Sequence, residues 1–228
     1  MAIASTNTLT YDLGLRRYMI DVYNNMGIGL AISGIVSYLV GTIPTLTQLF
    51  LGGPQAWIFM LAPLALVFYI SFKTHEMRVE TARTLFYVYA ALMGISLGSI
   101  FLVYQLGSIF QVFFITAATF GAVSLYGYTT NRDLTNIGTF MFMGLIGIII
   151  ASLVNIFLQS SGLSFVISLI SVVVFVGLTA YDTQKIKDLY DTVDETEREK
   201  AGIMGALNLY IDFINLMISF LQLFGQRK

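Results

Sequence analysis

Ala206-Leu207-Asn208-Leu209-Tyr210-Ile211-Asp212-Phe213-Ile214-Asn215-Leu216-Met217-Ile218-Ser219-Phe220-Leu221-Gln222-Leu223-Phe224 is an apolar stretch long enough to cross a bilayer, with five polar residues set into it. Asn208, Asp212, Asn215, Ser219 and Gln222 follow one another at steps of 4, 3, 4 and 3. On a helix that spacing forms one narrow stripe, with Leu, Ile, Phe, Met and Tyr around the rest. A carboxylate facing lipid is costly, whereas one facing the interior of a helix bundle or a water-filled cavity is tolerated. Asp212 is therefore expected to point inward, toward a group that pairs with it or an ion that passes it.

The whole chain has the same character. Of its 228 residues 57% are hydrophobic and only 11% are charged, against about 25% charged in an ordinary soluble domain. The formal net charge of −1 argues against nucleic acid as a partner. With no cysteine there is no disulfide framework, catalytic thiol or cysteine-ligated metal, and a single histidine, His75, excludes a multi-histidine metal site. No resident cofactor is implied. The first 21 residues carry Asp12, Arg16, Arg17 and Asp21 without an apolar core, unlike a cleavable signal peptide.

Runs of spanning length lie at about 22–43, 56–72, 84–104, 108–128, 136–158, 163–181 and 206–224. They predict an all-α polytopic membrane protein, a seven-helix bundle forming one domain over residues 1–228, with lipid around it. Residues 1–21 read as a cytosolic segment and 183–205 as a cytosolic acidic loop. The segments 44–55, 105–107 and 159–162 read as charge-free loops. With the amino terminus in the cytosol, Arg16, Arg17, Lys73, Arg78, Arg83, Arg132, Lys185, Lys187, Arg198 and Lys200 all fall inside, ten of the twelve basic residues. Arg227 and Lys228 fall outside unless the last segment is re-entrant; its length favours a full crossing. Small residues at Ala90, Gly94 and Gly98, and at Gly144 and Gly147, predict close helix approach. Trp57, Tyr69, Tyr104, Tyr126 and Tyr128 sit where interfacial anchors do.

Asp182 is the second carboxylate of interest. Its helix continues beyond the sixth apolar run, because Ile186, Leu189, Tyr190 and Val193 keep the helical pattern. Asp212 enters its own run from the same side, so the two acids can occupy similar depths on neighbouring helices. Two carboxylates that meet in a low-dielectric site do not both ionise cheaply; they tend to share one proton. Sharing holds the helices together. Loss of the proton leaves two repelling charges and a candidate site for a hard cation such as Ca²⁺, whose shell carbonyls or waters would have to complete. The plainer alternatives are an Asp182 paired locally with Lys185 and an Asp212 hydrogen-bonded to neighbouring Asn or Tyr groups. The run 188–199, with six acids and only Arg198 as a base, reads as a solvated segment, or alternatively as a cation-attracting mouth. Asn155 and Gln111 could line a polar path, although inter-helix hydrogen bonding is the simpler role. His75-Glu76-Met77-Arg78 lacks the second histidine of a zinc-protease helix.

At these residues the sequence resembles the transmembrane Bax inhibitor motif family, the Bax inhibitor-one proteins, in its bacterial branch. The likeness rests on Ala180-Tyr181-Asp182-Thr183-Gln184-Lys185-Ile186 and on Leu207 through Leu216, supported by Ala90 through Leu97 and Phe114 through Gly121. The resemblance implies a seven-helix fold with a central last helix and a pH-sensitive calcium leak in the bacterial inner membrane. It makes Asp182 and Asp212 the proton sensor. It also implies an arginine partner from the second helix, for which Lys73 or Arg78 is the candidate here; a lysine would lose the bidentate geometry. Bacterial relatives are known as modulators of a membrane-bound AAA protease, and eukaryotic ones as suppressors of cell death. A non-transporting protease regulator is thus the second expectation.

The third is an intramembrane aspartyl protease, which also places Tyr-Asp on one helix and Asp on the next. That chemistry expects Gly-x-Gly-Asp where this chain has Leu209-Tyr210-Ile211-Asp212, and Pro-Ala-Leu on a later helix where no proline follows Pro63. The expectation is of a protein that is not an enzyme.

Overall fold

A computed structural model describes residues 2–228, with side chains from Leu13 onward apart from that of His75. The side chains of residues 1–12, within the amino-terminal segment 1–21, and the His75 ring fall outside that description. The chain is all-α. Its helices are α1 (Ala2–Thr42), α2 (Pro44–Leu51), α3 (Ala56–Lys73), α4 (Val79–Leu97), α5 (Ile100–Val103), α6 (Leu106–Thr129), α7 (Thr135–Leu158), α8 (Ser161–Thr192) and α9 (Glu195–Phe224). Among the described residues seven stretches are long and apolar enough to cross a membrane, α4 and α5 together forming the third. The last is the most deeply covered, with 72% of its apolar window buried against 39% or less in the others.

Two expected loops are helical. Pro44 occupies the first turn of α2, where its missing N–H is no loss, and the Thr47 hydroxyl donates back to the Val40 carbonyl at 2.6 Å. The larger correction concerns the second half of 183–205. The sixth helix runs on to Thr192, as the pattern of Ile186, Leu189, Tyr190 and Val193 predicts, but only Val193 and Asp194 then interrupt it, so what was expected as loop is the start of α9. The charges there misled because the sparse apolar positions are the ones that bury: Ile203 and Leu207 are each at most 1% exposed. The acids there are also partly neutralised, Glu197 by Lys200 and Glu199 by Arg83.

The residues form two compact units, one of residues 1–103 and 186–207, the other of 104–185 and 208–228. In the first, α1 lies along the small-residue face of α4. The Ser33 hydroxyl donates to the Ala90 carbonyl at 2.7 Å, and a Cβ on Gly94 would stand 2.9 Å from the Ser33 carbonyl oxygen. The Ala90, Gly94, Gly98 spacing is therefore a packing device, as sequence predicted. Tyr18 of α1 packs on Tyr190, which Arg198 covers from 4.4 Å.

In the second unit α6 and α7 pack on α8 through glycines. A Cβ on Gly127 would meet the Ala180 carbonyl, and one on Gly144 would sit 2.9 Å from Val174. Gly147, expected to act with Gly144, makes no such approach: a Cβ there would meet nothing within 4 Å. Phe213 of α9 sits edge-on to Phe113 and Phe120 of α6. Beyond α9, Gln226 accepts from the Gln105 amide and donates to the Ser108 hydroxyl, both at 2.9 Å, which pins residues 225–228 at the start of α6.

Candidate functional site

Six consecutive residues of α8, Ala180 to Lys185, each have a separate task. Ala180 lies against Gly127, the Tyr181 ring covers Gly138, and the Thr183 hydroxyl reaches Ser124 at 3.3 Å. Gln184 clamps the α6–α7 connection from both ends of its amide: Nε2 donates to the Arg132 carbonyl and Oε1 accepts from the Leu134 amide, each at 2.8 Å. Lys185 lies 5.8 Å from the Tyr181 ring centre. These contacts fix the rotation of α8 about its axis, and that rotation aims Asp182.

Asp182 faces Asp212 of α9, the two carboxyls within hydrogen-bonding reach of each other. Asp212 is only 4% exposed, and its Oδ2 has no hydrogen-bond partner among the described residues. Burial of that kind is ordinarily costly for a carboxyl unless it is neutralised or paired. The basic group beside the pair is Lys185, one turn from Asp182 on the same helix. Among the described residues no third Asp, Glu, His or Cys joins them.

Of the predicted stripe on α9, Asp212 and Ser219 are buried, Asn215 is half-buried, and Asn208 and Gln222 are exposed. Asn215 donates through Nδ2 to the Ile211 carbonyl and Ser219 donates to the Asn215 carbonyl, at 2.8 and 2.7 Å. Gln222 crosses to α8, where its Oε1 accepts from the Ser168 hydroxyl at 2.6 Å. Lys73 is engaged at 2.6 Å by Glu76, and Arg78 stands exposed at the start of α4; both belong to the first unit. Asn155 ties the α7–α8 turn through Ser164 and Ser160, and Gln111 is exposed. Ser124, Gly127, Gly138 and the clamp made by Gln184 were not singled out by sequence reasoning, since single serines and glycines on apolar helices carry no signal of their own.

A model of the family described as "Inhibitor of apoptosis-promoting Bax1" matches residues 15–228. The chain belongs to the Bax inhibitor-one family. Among its relatives, the inner membrane protein YbhL of Escherichia coli is 44% identical over 94% of both chains. A Rickettsia prowazekii protein is 47% identical over 96% of this chain and 93% of its own. A membrane protein of Streptococcus pyogenes is 37% identical over 94% and 95%. The chain is thus a Bax inhibitor-one membrane protein, similar along nearly its whole length to a protein named for the inner membrane.

Proposed function

We propose that this Bax inhibitor-one protein is a pH-sensitive calcium leak of the inner membrane, gated by the carboxyl pair Asp182–Asp212. The observation that carries the proposal is their adjacency, with Asp212 buried and one of its oxygens unpartnered. A proton held between two such carboxyls cross-links α8 to α9 and closes the path. When pH rises and the proton leaves, two negative charges face each other in a poorly solvated site. They repel, the helices part at this level, and the same oxygens become ligands for a divalent cation, with carbonyls or water supplying the rest of its shell. Lys185 is the charged group that faces Asp182, so it moderates the repulsion without cancelling it. Lys73 or Arg78 as a further basic partner would require a rearrangement that frees Lys73 from Glu76. No bond is made or broken in this scheme. The ion is cargo, and the protein acts without enzymatic chemistry.

The sign of the pH effect follows directly: flux rises as pH increases. Calcium entry into proteoliposomes, followed with an enclosed dye at acid and alkaline pH, tests it. Wild type is expected to leak more at alkaline pH. Asp182→Asn and Asp212→Asn, which cannot place two charges at the gate, are expected to leak slowly and equally at both. Wild-type pH dependence persisting in both variants would refute the gate.

A further inference from the structure

At the level of Asp182, α8 is held on every side but one. Successive residues of a helix are turned by about 100° from each other. Thr183, about 100° one way from Asp182, meets Ser124 of α6, and Tyr181, about 100° the other way, covers Gly138 of α7. Ala180 and Gln184 each stand about 200° from Asp182, on the back of the helix, where they meet Gly127 and the α6–α7 connection. Only the direction of Asp182 is left for α9, and there it finds Asp212. Among the described residues the charged groups that act on Asp182 are Asp212 of α9 and Lys185 of its own helix; α6 and α7 bring none to it. Arg132 and Asp133 of the connection are exposed.

The four holds on α8 are not alike. Ala180 and Tyr181 pack closely against glycines, and Thr183 and Ser124 are buried, so none of these opens without repacking the interior. Gln184 is half-buried, and its hold consists of two hydrogen bonds to backbone groups, the Arg132 carbonyl and the Leu134 amide, each at 2.8 Å. Its side-chain amide stands in for a peptide unit. The neighbouring backbone groups of the connection are satisfied locally: the Arg132 amide donates to Thr130 Oγ1, the Leu134 carbonyl accepts from the Gly138 amide, and the Thr135 amide donates to Asp133 Oδ1. Leu134 is itself only 2% exposed. The connection is therefore fixed on its own account, and Gln184 is what joins it to α8. Water can replace the hydrogen bonds of a half-buried amide, so this hold can be undone with the packing intact.

We propose that Gln184 is the positioning residue of the carboxyl pair: its grip on the α6–α7 connection keeps Asp182 turned toward Asp212, and release of that grip lets α8 turn and unmakes the shared-proton bridge. The proposal deepens the gate reading and rests on it for the effect on calcium. Gln184→Met keeps the length of the side chain and loses both hydrogen bonds. Gln184→Glu, when ionised, keeps the acceptor for the Leu134 amide and loses the donor. Asn155→Leu is the control, because Asn155 makes a comparable pair of hydrogen bonds, to Ser164 Oγ and from the Ser160 amide, at the far end of α7 and α8. Each purified, monodisperse protein is reconstituted and read in two ways. One is the infrared difference spectrum between acid and alkaline pH, in which the carboxyl band of the pair is the one that Asp182→Asn and Asp212→Asn both change. The other is calcium leak at the same two pH values. Gln184→Met is expected to move the band to the higher frequency of a carboxyl without a hydrogen-bond partner. It is also expected to raise the acid leak at least about fivefold, as loss of two hydrogen bonds allows, with the alkaline leak unchanged. Gln184→Glu falls between it and wild type. Asn155→Leu lowers thermal stability in detergent and leaves band and pH profile as in wild type. A Gln184→Met protein with the wild-type band and profile overturns the proposal, and so does an Asn155→Leu protein that moves both as far. Should Gln184→Met not fold, Gln184→Glu decides by the same two readings. A moved band in a protein whose flux ignores Asp182→Asn and Asp212→Asn would uphold the positioning role while the leak reading falls. An unmoved band beside flux that obeys those variants would leave the gate standing without Gln184, and a wild type lacking the band would end both.

Discussion

The Tyr181 ring lies so close over Gly138 that a Cβ placed there would overlap ring carbons, and no other side chain leaves room for α7 and α8 to meet at this level. Because Asp182 is the next residue after Tyr181, the contact sets where the carboxyl points. Gly138→Ala is expected to push the ring away and destabilise the protein by about 1–3 kcal/mol, as overpacking of tight interiors does. Gly147→Ala on the same helix meets nothing within 4 Å, and replacing glycine in a helix interior gains roughly 0.5–1 kcal/mol. Thermal unfolding in detergent should therefore move the two variants in opposite directions. A Gly138→Ala protein as stable as its parent would mean that the Tyr181 contact does not hold α8 in place. The two glycines look alike in sequence, and only their neighbours distinguish them.

At the scale of elements, the short connection between α6 and α7 is held by Gln184 and by its own Asp133. Asp133 Oδ1 accepts from the Thr135 amide at 2.8 Å, just where α7 leaves an unpaired N–H. The Thr135 side chain adds a second hydrogen bond, and together they hold the Asp133 carboxyl below its ordinary 3.8. A depressed carboxyl contributes stability that is complete above its unfolded value and is lost as pH falls through the folded one. The cap is thus in place throughout the neutral range and fails only in strong acid, well away from the gate. Titration of the Asp133 carboxyl by NMR should give a midpoint below 3.8 in the native protein, rising in Thr135→Val. A midpoint at or above 3.8 in the native protein would show that the cap does not bind its carboxylate. At this scale sequence was a good guide to the apolar helices and to the extension of α8 beyond Lys185, and a poor one to the start of α9 at 195–205. Hydropathy registers a bilayer-facing stretch, whereas a helix end whose few apolar residues bury against protein looks like a solvated loop. Asp182 and Asp212 were both legible as intramembrane acids of similar depth, and their pairing was expected. The contacts that aim Asp182 were not legible, because the rotation of α8 depends on Gly127, Gly138 and Ser124 of its neighbours and on the α6–α7 connection that Gln184 grips.

For the whole molecule, the unresolved choice was whether the last apolar segment crosses or turns back. α9 is one unbroken helix of 30 residues, about 45 Å at 1.5 Å per residue. Residues 225–228 then lie beside Tyr104 and Gln105, at the start of α6, the end of that helix opposite to the one that leads to Arg132. A re-entrant segment would need a break in α9 and would return its end to the basic side. With ten of twelve basic residues on the side of Arg16 and Arg17, the arrangement we propose is an amino terminus in the cytosol and Arg227 and Lys228 outside it. Alkaline phosphatase, active only outside the cytosol, is therefore expected to be active when fused after Lys228 and inactive when inserted after Arg132. A green fluorescent protein, which fails to mature after export in unfolded form, should give the converse pattern at the same two sites. Inactive phosphatase together with bright fluorescence at Lys228 would put both ends on one side. The full crossing proposed for α9 would then fall.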